Sequence, residues 1–167
     1  MFFLIKLVVL DVDGTLTDGG IYYTSSGEEM KKFSVKDGMM IYSANKLGIK
    51  FAIITGRKSD IVLKRALELG ITDIYQNAGK KQEILENLIN QYEITLDEVA
   101  YIGDDLNDLS CMKIVGLPMT VQNGAEEVKK ISKFISKNRG GDGGVRDCLE
   151  YMLKNDGLFD KILQNYL

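Results

Sequence analysis

The chain has 167 residues, a formal net charge of −3 and 45% hydrophobic residues. That is enough for one domain with a normal core and too acidic for non-specific nucleic-acid binding. It has no histidine and two cysteines, which excludes Ser-His-Asp triads, Cys-His dyads, His-bearing zinc sites and a disulfide framework. Proton transfer then falls to Asp, Glu, Lys or Tyr. Any metal is a hard, oxygen-ligated ion such as Mg²⁺, and a reducing, cytoplasmic setting fits.

The N-terminal Met1-Phe2-Phe3-Leu4-Ile5 is apolar but is cut by Lys6. It has neither a preceding basic segment nor a small-residue cleavage site. No later run approaches a transmembrane length, so a soluble protein is expected. Residues 4–12 predict a first strand. It is a run of apolar and β-branched residues that reads as buried on both faces of a parallel sheet. The run ends in Asp11-Val12-Asp13-Gly14, two carboxylates one residue apart followed by a glycine that can turn the chain off the strand. Carboxylates this close repel unless a cation or a shared proton relieves them.

Residues 20–24 and 30–35 flank Ser25-Ser26-Gly27-Glu28 and predict a β-hairpin, a flap beside the end of the first strand (about 19–35). A helix opens at Asp37 and stops at Gly48; Phe51–Ile54 is a second buried strand ending in Thr55-Gly56-Arg57. A helix capped by Ser59 or Asp60 runs to about Leu69. Ile71–Tyr75 is a short strand and Lys81–Tyr92 a helix. Val99–Ile102 is a further strand, ending in Gly103-Asp104-Asp105-Leu106-Asn107-Asp108, and a helix to about Val115 follows. Next come a strand at Leu117–Val121, a helix near Ala125–Ile131, a strand near Phe134–Ile135, and a glycine loop over 139–144. A helix at Val145–Leu153 leads to a weakly amphipathic tail, about 155–167. This alternation predicts a single domain over 1–167, an α/β parallel sheet with right-handed crossovers.

Parallel strands deliver their C-terminal ends to one sheet edge, so Asp11-x-Asp13, Thr55-Gly56-Arg57 and Gly103-Asp104-Asp105 can converge there, with Lys81 leaning over from the next helix. Acidic groups, a hydroxyl with free backbone N–H groups, and one cation suit a phosphate held against Mg²⁺. Each element alone has an ordinary alternative. Thr55-Gly56 reads as a plain turn, Lys81 as a solvated residue with Lys80 its rival, Asp104-Asp105 as helix caps and Asp108 as a surface acid.

The set Asp11-Val12-Asp13-Gly14-Thr15, Thr55, a downstream Lys and Gly103-Asp104-Asp105-x-x-Asp108 resembles the four motifs of the haloacid dehalogenase-like (HAD) phosphohydrolases. The resemblance implies a Rossmann-like parallel sheet with Mg²⁺ at its edge. It implies Asp11 as nucleophile forming an aspartyl-phosphate, and Asp13 as general acid and then base. The ion would sit on Asp11, Asp104 and the backbone carbonyl of Asp13. Thr55, Gly56 and Lys81 would bind the phosphoryl group, and Asp105 and Asp108 would support the metal shell. Neither gap between these motifs has room for a cap domain, so a neighbouring subunit is the expected cover.

Within that superfamily the chain is similar to the tetrameric 3-deoxy-D-manno-octulosonate (KDO) 8-phosphate phosphatases. The phrases that carry this are Asp13–Gly19, Phe33–Gly38, Thr55–Ser59, Arg65–Gly70, Gly103–Asp108 and Arg139–Arg146. The family's last acidic residue is usually Glu; here it is Asp147. The resemblance implies a homotetramer, flap hairpins joined in a small barrel, and a phosphorylated sugar acid as substrate. Arg57, Lys58 and Arg65 are then candidates for the sugar carboxylate or else a solvated helix face. Arg146 either reaches a neighbour's site or begins a surface helix. The alternatives are a nonulosonate (sialic acid or KDN) 9-phosphate phosphatase and, from another class, a non-catalytic oligomerisation or regulatory module.

Overall fold

The computed structural model describes residues 4–167; Met1, Phe2 and Phe3 of the apolar N-terminal run lie outside the described residues. Six strands form one parallel sheet: β1 (Leu7–Leu10), β4 (Lys50–Ile54), β5 (Asp73–Tyr75), β6 (Val99–Ile102), β7 (Leu117–Thr120) and β8 (Phe134–Ile135). Their order across the sheet is β5-β4-β1-β6-β7-β8, all neighbours parallel. β1 is central, with Leu10 in register with Ile53 of β4 on one side and Ile102 of β6 on the other. The chain leaves β1 toward one edge and later returns to the other. The ends of β1, β4 and β6 therefore meet at the switch point, where a crevice forms.

Side-chain alternation sorts the strands into two cores. Val8 and Leu10 with Phe51, Ile53, Ala100 and Ile102 face α1 (Val35–Lys46), α2 (Asp60–Glu68), α6 (Gly144–Asn155) and α7 (Phe159–Gln164). Leu7 and Val9 with Ala52, Ile54, Val99 and Tyr101 face α3 (Lys81–Tyr92), α4 (Leu109–Met112) and α5 (Glu126–Ile131). Both faces being covered explains why β1 and β6 read as unbroken apolar runs rather than alternating ones.

Several boundaries differ from the sequence expectation for local physical reasons. The regular strand β1 is only Leu7–Leu10, because Val12 O accepts from the N–H groups of Thr15, Leu16 and Thr17 at 2.9–3.1 Å and closes a tight turn. The hairpin ladder is short: β2 is Tyr22–Tyr23 and β3 Glu29–Met30, its base held by a bridge between Thr17 and Phe33. α1 starts at Val35, not Asp37, because Ser34 is the N-cap and its hydroxyl accepts from Asp37 N–H. The helix expected through Val115 is a 3₁₀ turn, Leu106–Asp108, followed by the four residues of α4. The tail carries α7, anchored by buried Ile162 and by a hydrogen bond between Tyr166 OH and Ser43 Oγ at 3.0 Å.

No cap intervenes at the strand edge. Between Asp13 and Thr55 lie β2–β3, α1 and β4, and between Thr55 and Lys81 lie α2 and β5. Among the described residues, no helix is long and apolar enough to cross a membrane.

Candidate active site

Asp11 continues the β1 ladder by one bond, its N–H donating to Ile102 O at 3.0 Å. Pleat alternation after Leu10 turns its side chain toward the α3 face. The first residue of α3 lies there. Lys81 Nζ donates to Asp11 Oδ1 at 3.0 Å and to Asp108 Oδ1 at 2.9 Å, with its side chain only 2% exposed. The rival Lys80 has a side chain 79% exposed and pairs with Glu83, so helix phase settles which lysine enters the site.

Asp108 accepts four hydrogen bonds. Lys81 Nζ and Tyr101 OH donate to Oδ1, and the N–H groups of Asp104 and Asp105 to Oδ2 at 3.0 and 3.2 Å. Folding its carboxylate back onto those amides tightens the chain into the 3₁₀ turn. Gly103 is required beneath it, since a Cβ there would collide with the Asp108 carboxylate. Asp104 takes a hydrogen bond from Thr15 Oγ1 at 2.9 Å and lies over Gly14, where φ is +87° and a Cβ would strike its carboxylate. Gly14 thus serves both turn and close approach. The glycine loop closes the same corner, Gly141 N–H donating to Thr15 O at 3.2 Å.

Charge in this corner is unbalanced. One carboxylate oxygen each from Asp11, Asp104 and Asp108 lies within 4.8 Å of the others. Burial, reinforced by Asp108, pushes the Asp11 carboxyl well above its usual range. Burial also raises Asp104 to about 6, against the hydrogen bond from Thr15. For Lys81 burial opposes the charge, but Asp11 and Asp108 outweigh it and raise the ammonium. Three carboxylates against one ammonium leave a deficit of two positive charges, which fits a divalent cation. An all-oxygen donor set with no imidazole or thiolate fits Mg²⁺. Because Asp108 is saturated by its four donors, Asp11 and Asp104 are the carboxylates left to hold the ion.

Asp13 lies apart from this cluster. Its Oδ1 accepts from Lys31 Nζ at 2.7 Å, and Lys31 also pairs with Glu29 Oε1 at 3.0 Å. Arg57 pairs with the same Glu29 oxygen, at 3.5 Å. The hairpin therefore reaches the strand edge through Lys31. Beside it a cleft lined by Glu28, Glu29, Lys58, Ser59, Asp60 and Ile61 opens toward the start of α2. Thr55 is buried, and no protein hydrogen bond engages its hydroxyl among the described residues. Gly56 follows it, exposed.

The remaining candidates make other contacts. Asp105 is exposed and caps its own turn, Oδ1 accepting from Leu106 N–H at 2.8 Å. Arg65 lies 5.9 Å from the Phe33 ring and pairs with Glu68 at 3.4 Å. Its contacts tie α2 to the start of α1 rather than to the acidic cluster. Arg146 pairs with Glu150 at 2.5 Å, and its N–H donates to Asp37 Oδ1 at 2.8 Å, joining α6 to α1. Burial raises the Asp37 carboxyl to about 6 against that hydrogen bond.

Sequence reasoning missed Lys31, Tyr101 and Thr15. Tyr101 carried a readable signal, a tyrosine inside a buried strand whose hydroxyl must find a partner. Thr15 and Lys31 depend on contacts 89 and 18 residues away in sequence.

The chain is also similar to known proteins. Residues 65–149 match the haloacid dehalogenase-like hydrolase family. The chain is 40% identical over 157 residues to the 3-deoxy-D-manno-octulosonate 8-phosphate phosphatase KdsC of Escherichia coli (strain K12), covering 94% of this chain and 84% of that one. It is similar to the crystal structure of 3-deoxy-D-manno-octulosonate 8-phosphate phosphatase from Moraxella catarrhalis in complex with magnesium ion, phosphate ion and KDO. There the TM-score is 0.94 at 42% identity, over 98% of this chain and 94% of the other. It is also similar to the cobalt-bound phosphatase of Haemophilus influenzae, with a TM-score of 0.87 at 34% identity over 92% and 90% of the two chains.

Proposed function

The chain belongs to the haloacid dehalogenase-like hydrolases, among the KDO 8-phosphate phosphatases, and from that premise we propose that it hydrolyses KDO 8-phosphate to KDO and phosphate at the Asp11–Lys81–Asp104 corner. The observation that carries this is the pair of missing positive charges among Asp11, Asp104 and Asp108. A site built this way binds a divalent cation, and the phosphate dianion that the cation and Lys81 attract.

Asp11, Asp104 and the Asp13 carbonyl would hold Mg²⁺, which would supply charge neutralisation for the attack of one anion on another. Asp11 attacks phosphorus: an Asp11 O–P bond forms as the bond from phosphorus to the sugar oxygen breaks, giving an aspartyl-phosphate. Asp13 protonates the departing alkoxide and then takes a proton from the water that opens the aspartyl-phosphate. Lys81 and the Thr55 hydroxyl, with the Gly56 N–H, bind the equatorial oxygens. Asp108 fixes Lys81 and the 103–105 loop, and Asp105 shapes that loop from outside. Arg57, half-exposed and paired with Glu29 of the hairpin, is the cation offered to the sugar carboxylate.

We assign the working form as a single uncapped domain in a cytoplasmic homotetramer. Ile21, Tyr22, Tyr23 and Met30 of the hairpin and Val35, Met39 and Tyr42 of α1 are exposed apolar residues that a neighbouring subunit would cover. Cys111 and Cys148 are buried and unpaired, as suits a reducing compartment.

Phosphate release from KDO 8-phosphate, N-acetylneuraminate 9-phosphate, KDN 9-phosphate and hexose phosphates tests the reading. The expected result is turnover that stops with EDTA, returns with Mg²⁺ and favours the eight-carbon acid. Preference for a nine-carbon acid would overturn the substrate and keep the chemistry. Turnover of none would leave the binding-module reading.

A further inference from the structure

The hairpin residue Lys31 is unlike an ordinary surface lysine. It directly follows the short strand β3 of the hairpin, yet its side chain is 2% exposed. Both ends of its charge are tied down, to Asp13 at 2.7 Å and Glu29 at 3.0 Å. Exposed ion pairs contribute little because two long side chains must be ordered in high dielectric. Here the stem is already buried, so most of that ordering cost is met by packing.

Asp13 has the complementary need. It follows the last residues of β1 and precedes a glycine with positive φ, and its side chain has no other protein partner among the described residues. An unrestrained aspartate samples several χ1 wells. Proton transfer needs one of them, held within about an ångström, and a misplacement of that size costs about 10²-fold. Lys31 binds Oδ1, which leaves Oδ2 as the oxygen able to carry a proton to the leaving group.

We infer that Lys31 is a positioning residue for Asp13: the hairpin delivers it to fix the orientation of the proton donor, and Glu29 fixes Lys31. The inference rests on the phosphatase reading. The hairpin is then a working part of the reaction rather than an assembly element alone. Arg57 joins the same group of ion pairs at Glu29 Oε1.

The test uses leaving-group dependence. When Asp13 is well placed, its Oδ2–H bond breaks as an O–H bond forms on the departing oxygen, so poor leaving groups depart nearly as readily as good ones. We measure kcat/KM, which reports the first displacement alone, for aryl phosphates from p-nitrophenyl to phenyl and for KDO 8-phosphate. In Lys31→Met the slope of log kcat/KM against leaving-group pKa should steepen. Phenyl phosphate and KDO 8-phosphate should lose about 10–10²-fold while p-nitrophenyl phosphate changes by less than about threefold. Lys31→Arg should restore the wild-type slope. Glu29→Gln, which leaves Lys31 in place, should steepen it in the same direction by less, and serves if Lys31→Met does not fold. An equal loss across all esters would make Lys31 merely structural and overturn the inference. Loss confined to KDO 8-phosphate, with the aryl slope unchanged, would make Lys31 a sugar contact and overturn it too. Wild-type protein inert toward every ester would overturn the phosphatase reading itself.

Discussion

Asp11→Asn is expected to lower phosphate release by about 10⁴-fold or more while the chain stays folded, since a neutral amide cannot form the aspartyl-phosphate. The stability side has a definite sign. Burial and Asp108 raise the Asp11 carboxyl in the folded, metal-free protein. An acid whose folded pKa exceeds its unfolded value contributes stability at low pH and loses that contribution as pH rises through the folded pKa. Ionising Asp11 is therefore a burden on the metal-free fold. Lys81 keeps Asp108 as partner in the variant. Thermal unfolding in EDTA at neutral pH should show Asp11→Asn as stable as wild type or more so. Turnover that survives the change would remove Asp11 as nucleophile. Loss of assembly together with intact turnover would support the module reading.

Lys81→Met has the opposite stability sign and is the largest expected effect on the fold. Among the described residues the ammonium is the only cation bonded to both Asp11 and Asp108, and removing it leaves two buried carboxylates uncompensated. Breaking a buried pair from one side typically costs about 3–5 kcal/mol, which should appear in urea unfolding of the metal-free protein. Activity should fall by at least about 10²-fold, because Lys81 faces the developing phosphoryl charge. The double variant Lys81→Met/Asp108→Asn should recover much of the stability and none of the activity. In it the Asn carbonyl still accepts from the Asp104 and Asp105 N–H groups, and its amide donates to Tyr101. A single variant as stable as wild type would contradict the buried triad.

The strand ends were legible from sequence for a clear reason. Leu7–Leu10 and Val99–Ile102 are buried on both faces, so burial leaves no polar residue until the chain reaches the sheet edge. The first carboxylate after each run then marks the site. Lys80 stayed a rival to Lys81 because only the phase of α3 against the sheet decides between them. For Asp108 a surface acid stayed open as the ordinary alternative because its four donors are gathered by a 3₁₀ turn that the local sequence does not announce. Arg65 was open between the sugar carboxylate and a solvated helix face, and Arg146 between a neighbour's site and a surface helix; within this chain they join α2 and α6 to α1. Lys31 lay in plain view beside Glu29, two residues apart and so on one face of a strand. What hid it was the placement of the hairpin over Asp13, which follows from the turn at Val12 and the Thr17–Phe33 bridge.

The most direct test of the site is the stereochemical course at phosphorus. It is read from hydrolysis of a phosphorothioate ester of the eight-carbon sugar acid made chiral with oxygen isotopes, in isotopically labelled water. Displacement by Asp11 followed by displacement by water inverts phosphorus twice, so net retention is predicted. Net inversion would mean a single attack by water, with Asp11 no longer the nucleophile around which the corner is built.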